Sequence, residues 1–445
     1  MVITTESAEV IATESAAAQS RTPSPVETYG DLGAAQLAVL VPELLLSGQL
    51  IDRSGMAHLI GAFGREIMAQ VAIEEWMAAS PVYTHRMRRA LGITGDGVAE
   101  MFKCLQLDIG APPQFMDFRY EIVDEYHGSF VLDHCGALMD VEPLGDEYVT
   151  AMCHDIEDPT FDATAIATNR RARIRPIHRP PRRHADATPH CAWTVSIEAD
   201  RDELPLPADA ELMFATRAAT VELTPIDAAA TDGWVDYRAP VVADLQFREF
   251  SIGALVRICE EVALQHQLLA LGFLWSVRRY AGSEAQAIEI YRKQLTGIAG
   301  LSADRLRRAL GWGTDAQTLA QVFGLIPVLG PRRYTGVSAR VEGAEVVVEI
   351  PTDSDAWHDG GWVRLLSVDH LEPLQAIAVA VDPHWTVSTA ENAAHEHSGQ
   401  ILRVRFAQGP SEQRESGEVA IARFSSGAGF TFVDRGRSIP LTVHH

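Results

Sequence analysis

A seven-residue phrase that occurs twice constrains this chain more than any other feature. Arg86-Met-Arg-Arg-Ala-Leu-Gly92 returns as Arg305-Leu-Arg-Arg-Ala-Leu-Gly311, and internal similarity of this kind signals a repeated structural unit. The surroundings correspond in the same order. Upstream of the first copy, Leu59, Ile60, Phe63, Ile67 and Val71 recur at helical spacing and predict an amphipathic helix from Met56 to Met77. Upstream of the second, Leu255, Ile258, Val262 and Leu269 predict another from Ala254 to Leu271. Downstream, Tyr120–Asp124 and Ser129–Leu132 flank a turn near Gly128, as Ser338–Val341 and Val346–Ile350 flank Gly343; each pair reads as a β-hairpin. Trp193, Val195 and Ile197 alternate before a strand expected near Phe214 to Leu223. Leu402, Val404 and Phe406 alternate before one expected near Glu418 to Phe424. The expected fold is therefore α+β: two tandem copies, at 30–235 and 246–437, of a unit with helices first and a mostly antiparallel sheet after.

The two copies differ in one respect that bears on function. Of five cysteines, Cys135, Cys153 and Cys191 each sit beside a histidine (His134, His154 and His190), whereas the second copy's only cysteine is Cys259, in its helix. A fold made twice does not need those thiols, so they point to a separate role. Cys135 follows a strand and Cys191 opens one. Cys153 falls in a helix expected from Gly145 to Ile156, with Asp158-Pro159 as its stop. Thiolate and imidazole are ligands of borderline metals, so Cys135, Cys153 and Cys191 with His134, His154 or His190 suggest a divalent metal site, zinc first, which with an open position would activate water. A nucleophilic Cys153 or Cys135, with a histidine base and Asp155 or Glu157 to orient it, is the competing chemistry. Buried cysteines packing as small apolar residues are the third possibility.

Between Cys153 and Cys191 lies Asn169–Arg183, with seven arginines and no acid. Alternation in Arg171-Ala-Arg-Ile-Arg175 predicts a strand with one charged face, and Pro176, Pro180 and Pro181 stiffen the segment beyond it. Arg173, Arg175 and Arg179 are candidate clamps for a small anion, with His178 as an acid/base; the same run equally suits pairing with the acidic remainder or with a second subunit. In the second copy His358, His370, His384, His395 and His397 are not expected to form a site. The net charge of -23 disfavours nucleic acid and anionic membranes. The chain has 47% hydrophobic residues and no apolar run of ~18, which predicts ample core and no membrane span. The odd cysteine count and an N-terminus without a signal peptide predict a cytoplasmic setting. Residues 1–29 and 438–445 read as tails. No Walker loop, dinucleotide fingerprint or Gly-x-Ser-x-Gly elbow occurs.

His134-Cys135-Gly136, Cys153 and His190-Cys191-Ala-Trp193, within residues 50–200, resemble the L-2-amino-thiazoline-4-carboxylic acid hydrolase-like proteins and the related vinyl-reductase-type small-molecule-binding domains. The resemblance implies hydrolytic ring opening of a small carboxylate, or effector binding beside a structural metal. The arginine-bearing insertion and the cysteine-free second copy depart from that pattern. The expected function is thus a metal-dependent hydrolase of a small anionic molecule, with His154, His178 and Glu157 moving or orienting protons; a noncatalytic sensor is the alternative.

Overall fold

The computed structural model describes residues 26–389 and 401–441, so His395 and His397 lie outside the described residues. The first half begins with two long helices, α1 (Ala34–Phe63) and α2 (Arg65–Ala90), separated only by Gly64 at φ +85°, a backbone conformation that glycine adopts without strain. The single helix expected from Met56 to Met77 is therefore the end of one helix and the start of the next. Leu59 and Val71 are both buried, so the apolar periodicity runs unbroken through a turn one residue long. A short helix α3 (Val98–Leu105) leads into β1 (Met116–Ile122) and β2 (His127–Cys135), then α4 (Glu157–Ala165), β3 (Ala172–His178) and β4 (Cys191–Ile197).

The second half repeats the plan. Helices α5 (Ile252–Tyr280) and α6 (Glu284–Ala309) start at Ser251 and Ser283, whose side chains accept from the backbone N–H three residues on, as helix N-caps do. They are followed by α7 (Ala316–Leu325), β5 (Ser338–Glu342), β6 (Glu345–Pro351), α8 (Glu372–Val381), β7 (Trp385–Thr389), β8 (Ile401–Gln408) and α9 (Gly417–Ala422). Both sheets are four-stranded and antiparallel with the same order, β1-β2-β4-β3 and β5-β6-β8-β7. The inner faces carry the cores: Trp193 packs 4.9 Å from Phe161 and 6.4 Å from Phe130, and Phe406 packs 4.8 Å from Phe323.

The helices are exchanged between the halves. α2 packs chiefly on α5, and α1 chiefly on α6, rather than each on its own hairpin mate. The repeated phrase explains itself here. Arg86 of α2 makes a bidentate ion pair with Glu261 of α5 (2.9 and 3.1 Å) and donates to the carbonyls of Ala219 and Val221. Arg305 of α6 pairs with Glu43 of α1 (2.7 Å) and donates to the carbonyls of Gly427 and Ala428. Both guanidinium groups are buried, so each needs its carboxylate. This pseudo-symmetry makes position 43 equivalent to 261 and position 86 equivalent to 305. Among the described helices α1 alone has the length and hydropathy to cross a membrane, yet Leu37, Leu40, Leu44, Leu45 and Leu50 are buried against the rest of the chain.

Two expected strands are helical. Residues 208–214 and 217–220 form short helices, and 417–422 form α9. Thr216 and Ser416 accept from the N–H of Ala219 and Val419, and a cap at that spacing turns a short apolar run into a helix. The expected stop at Asp158-Pro159 also fails: helix continues from Asp146 to Ala165 through a π turn at Ala151–Ile156. The wider turn ends just before Pro159, which then falls in the first turn of α4, where a missing N–H costs little. Tyr29, assigned to a tail, is buried and donates to the carbonyl of Leu325.

Candidate functional site

The strand register carries Cys135 and Cys191 to the inner face, with Met116 opposite Cys135 and Leu132 opposite Cys191. Cys153 joins them from the π turn, and all three thiols are buried. Burial first, and then the carboxylate of Glu157, pushes each thiol up, Cys135 to about 12 and Cys153 and Cys191 further. The sulfurs thus share one neighbourhood as neutral thiols.

The histidines do not turn toward them. Cys135 Sγ accepts from the Leu138 N–H and lies 3.8 Å from Met116 Sδ. His190 Nδ1 accepts from the Cys135 N–H at 3.1 Å, which leaves the ring proton on Nε2 and removes both nitrogens as ligands. His134 stacks on Phe430. His154 Nε2 is bonded to the carbonyl of Pro180. Among the described residues no group of three or more His, Cys, Asp or Glu is arranged to hold a metal ion.

The arginine run is absorbed locally. Arg173 donates to the carbonyls of Arg170, Ala172 and Asp202. Arg175 pairs with Asp162 at 2.9 Å, and Arg179 pairs with Asp158 while its guanidinium sits over the Trp193 ring. Arg182 holds Glu142. β3 does alternate, with Ala172 and Ile174 in and Arg173 and Arg175 out, and His178 is exposed at its end. Of the candidate anion clamps, Arg175 and Arg179 tie this segment to α4, and Arg173 is held by backbone carbonyls.

A different site lies between the helices and β1. A small cavity of about 80 Å³ is bounded by Gln49 and Asp52 of α1, Trp76 and Tyr83 of α2, Asp108 and Gly110 after α3, Met116 and Phe118 of β1, and Glu157 and Phe161 of α4. Trp76 Nε1 donates to Asp52 Oδ2 at 2.8 Å. Tyr83 OH and the Gly110 N–H both donate to Asp108 Oδ1, at 2.8 and 2.7 Å. Glu75, 2% exposed, faces Asp52 closely enough that one carboxyl must carry a proton: burial, then the other carboxylate, drives Glu75 far above the usual range, and burial raises Asp52 as well. Burial lifts Asp108 to about 6 and Glu157 to about 8. Asp52 Oδ1, Glu75 Oε2 and Gln49 Oε1 are buried without a partner.

None of this is required by the fold. Carried across the pseudo-symmetry, Asp52 meets Ala270, Glu75 meets Gln294, Trp76 meets Leu295 and Tyr83 meets Ser302. Gln49 alone has a like counterpart, Gln267, whose Nε2 donates to the carbonyls of Pro327, Val328 and Gly330 while its Oε1 is buried without a partner. The cavity shares Ala111, Met116 and Phe118 with a wider pocket of about 560 Å³ bordered by 243–248 and 431–434. On its other side it shares Met152 and Ile156 with a groove of about 620 Å³. Sequence reasoning passed over these acids. The available signal was Asp52 and Glu75 standing at core positions of apolar helices, with Ala and Gln in the second copy.

No protein-family model matches this chain, and neither a curated protein nor a solved structure is significantly similar to it.

Proposed function

We propose that the first half is a small-molecule-binding unit whose ligand sits in the cavity between α1, α2 and β1, and that the second half is its scaffold. One observation carries this reading: two buried acids at the cavity, Asp52 and Glu75, stand where the otherwise equivalent half has Ala270 and Gln294. Burying a carboxyl is costly, and a fold that can be built with Ala270 and Gln294 at the same places has no structural need of the two acids. The reading keeps the binding alternative raised by the sequence and moves it away from the cysteines and arginines. A carboxyl pair sharing one proton, Asp52 with Glu75, also favours acid–base catalysis on the bound molecule as a second reading.

Ligand-observed NMR against a library of small polar fragments tests it. Fragments that bind the wild type should lose at least tenfold in affinity to the Asp52→Leu and Gln49→Leu variants, whose folding is checked by circular dichroism. A full set of binders retained by both variants would remove the cavity from consideration. Turnover of any such fragment, lost in Glu75→Gln, would favour the enzyme over the binding protein.

A further inference from the structure

Resting on that reading of the cavity, we infer that its ligand presents a small cationic nitrogen, a primary ammonium or an amidinium, to Asp52, Asp108 and Gln49. The balance of donors and acceptors around the space dictates this choice. Among the described residues that line the cavity there is no Lys, Arg or His. Its side-chain donors are already committed where they meet the acids: Trp76 Nε1 to Asp52 Oδ2, and Tyr83 OH to Asp108 Oδ1. The groups left without a donor are acceptors: Gln49 Oε1, on a residue 6% exposed, has no partner, Asp52 Oδ1 has none beyond the Glu75 carboxyl, and Asp108 takes both of its donors on Oδ1, leaving Oδ2.

A ligand that completes these acceptors must therefore bring donors. An ammonium carries three donors and no acceptor, and a neutral hydroxyl or a carboxylate cannot match that. An anion would meet Asp52 and Asp108 in a low-dielectric space, where like charges repel strongly. Trp76 and Phe118 line the same space and add aromatic surface of the kind that attracts cations. About 80 Å³ admits only a few non-hydrogen atoms, so any larger body of the ligand would extend past Ala111, Met116 and Phe118 into the wider pocket. The Asp52–Glu75 pair holds one proton in the absence of a ligand; an arriving ammonium takes over the role of that proton, which leaves to solvent.

The test is titration of the full-length protein with ethylammonium, using 1-propanol as the neutral match, acetate as the anion, and potassium and ammonium chloride as ionic-strength and inorganic controls. The readouts are melting temperature and calorimetric heat in two buffers of different ionisation enthalpy. Ethylammonium should give a saturable rise in Tm with buffer-dependent heat, at least tenfold weaker in both Asp52→Asn and Asp108→Asn, while propanol, acetate and potassium give none. Two isosteric variants are used so that a folding failure in one leaves the other to decide. An equal or larger response to propanol or acetate would overturn the cationic assignment while leaving a ligand-binding cavity in place. A response to ammonium and potassium equal to that to ethylammonium would overturn it in favour of an inorganic cation. Silence from every probe would overturn it too, and the fragment screen then decides separately whether the cavity binds anything.

Discussion

Asp108→Asn should make the ligand-free protein more stable, by an amount that grows with pH. Asp108 is 3% exposed, and its Oδ1 accepts from Tyr83 OH and the Gly110 N–H; an asparagine carbonyl can accept both bonds. Burial raises the carboxyl from an ordinary 3.8 to about 6. Because the folded value lies above the unfolded one, the protonated group is the one the fold tolerates: its contribution is fully present below about pH 4 and is lost as pH rises through about 6. A shift of roughly two pH units at about 1.4 kcal/mol each gives a penalty of ~3 kcal/mol above about pH 7, falling to ~1.5 at pH 5 and ~0.5 at pH 4. Asparagine does not titrate, so urea unfolding of both proteins at pH 5, 6.5 and 8 should show the variant's advantage roughly doubling across the series. An advantage independent of pH, or a variant less stable than wild type at pH 8, would refute the buried-carboxyl argument and with it the acidity of the cavity.

The remaining expectations concern the helices and the thiols. Arg305→Met should lose about 3–5 kcal/mol in urea unfolding, since it strands the buried Glu43 carboxylate, and Arg86→Met should lose less, since Arg257 still holds Glu261 at 3.0 Å; a loss under ~1 kcal/mol in Arg305→Met would contradict the buried pair. Gly48→Ala places a Cβ 2.4 Å from Ile109 Cγ2 and 3.0 Å from His266 Nε2, whereas Gly61→Ala meets nothing within 4 Å. The first should therefore cost about 1–3 kcal/mol and the second gain up to ~1, and thermal melts in the opposite order would contradict the helix packing. All five cysteines are buried, with Cys104 pushed up to about 11 and Cys135 to about 12. Iodoacetamide at pH 7.5 should leave them unmodified in the native protein and label them in urea; rapid native labelling of Cys153, read by mass spectrometry, would show an accessible thiolate there.

The parts of the fold legible from residues alone are those where the physical constraint is local or repeated. Arg86 and Arg305 repeat with their neighbours because each is a buried charge with one permitted partner, and that preserved the signal of duplication. The hairpins were legible because β2 alternates Phe130 and Leu132 inward with Val131 and Asp133 outward, a period of two that no helix shares. The Gly64 break was hidden because the apolar spacing continues through it. Residues 208–220 and α9 were misread because short runs of six or seven residues suit a strand as well as a helix, and the deciding caps are single residues, Thr216 and Ser416. The functional site was the hardest to see. Adjacent His-Cys pairs suggest ligands, but an irregularity in the register after Leu132 breaks the alternation and sends Cys135 inward and His134 toward Phe430. The acids that do converge, Asp52, Glu75 and Asp108, come from three separate elements and form no local pattern.

The exchange of helices between halves has a consequence for the nascent polypeptide. α2 cannot cover its apolar face with its own neighbour; its cover is α5, which begins 162 residues after α2 ends at Ala90. At ~5–20 residues per second on the ribosome, that leaves the surface bare for roughly 8–30 s. During that interval the emerging first half is a natural client for chaperones that shield sticky surfaces.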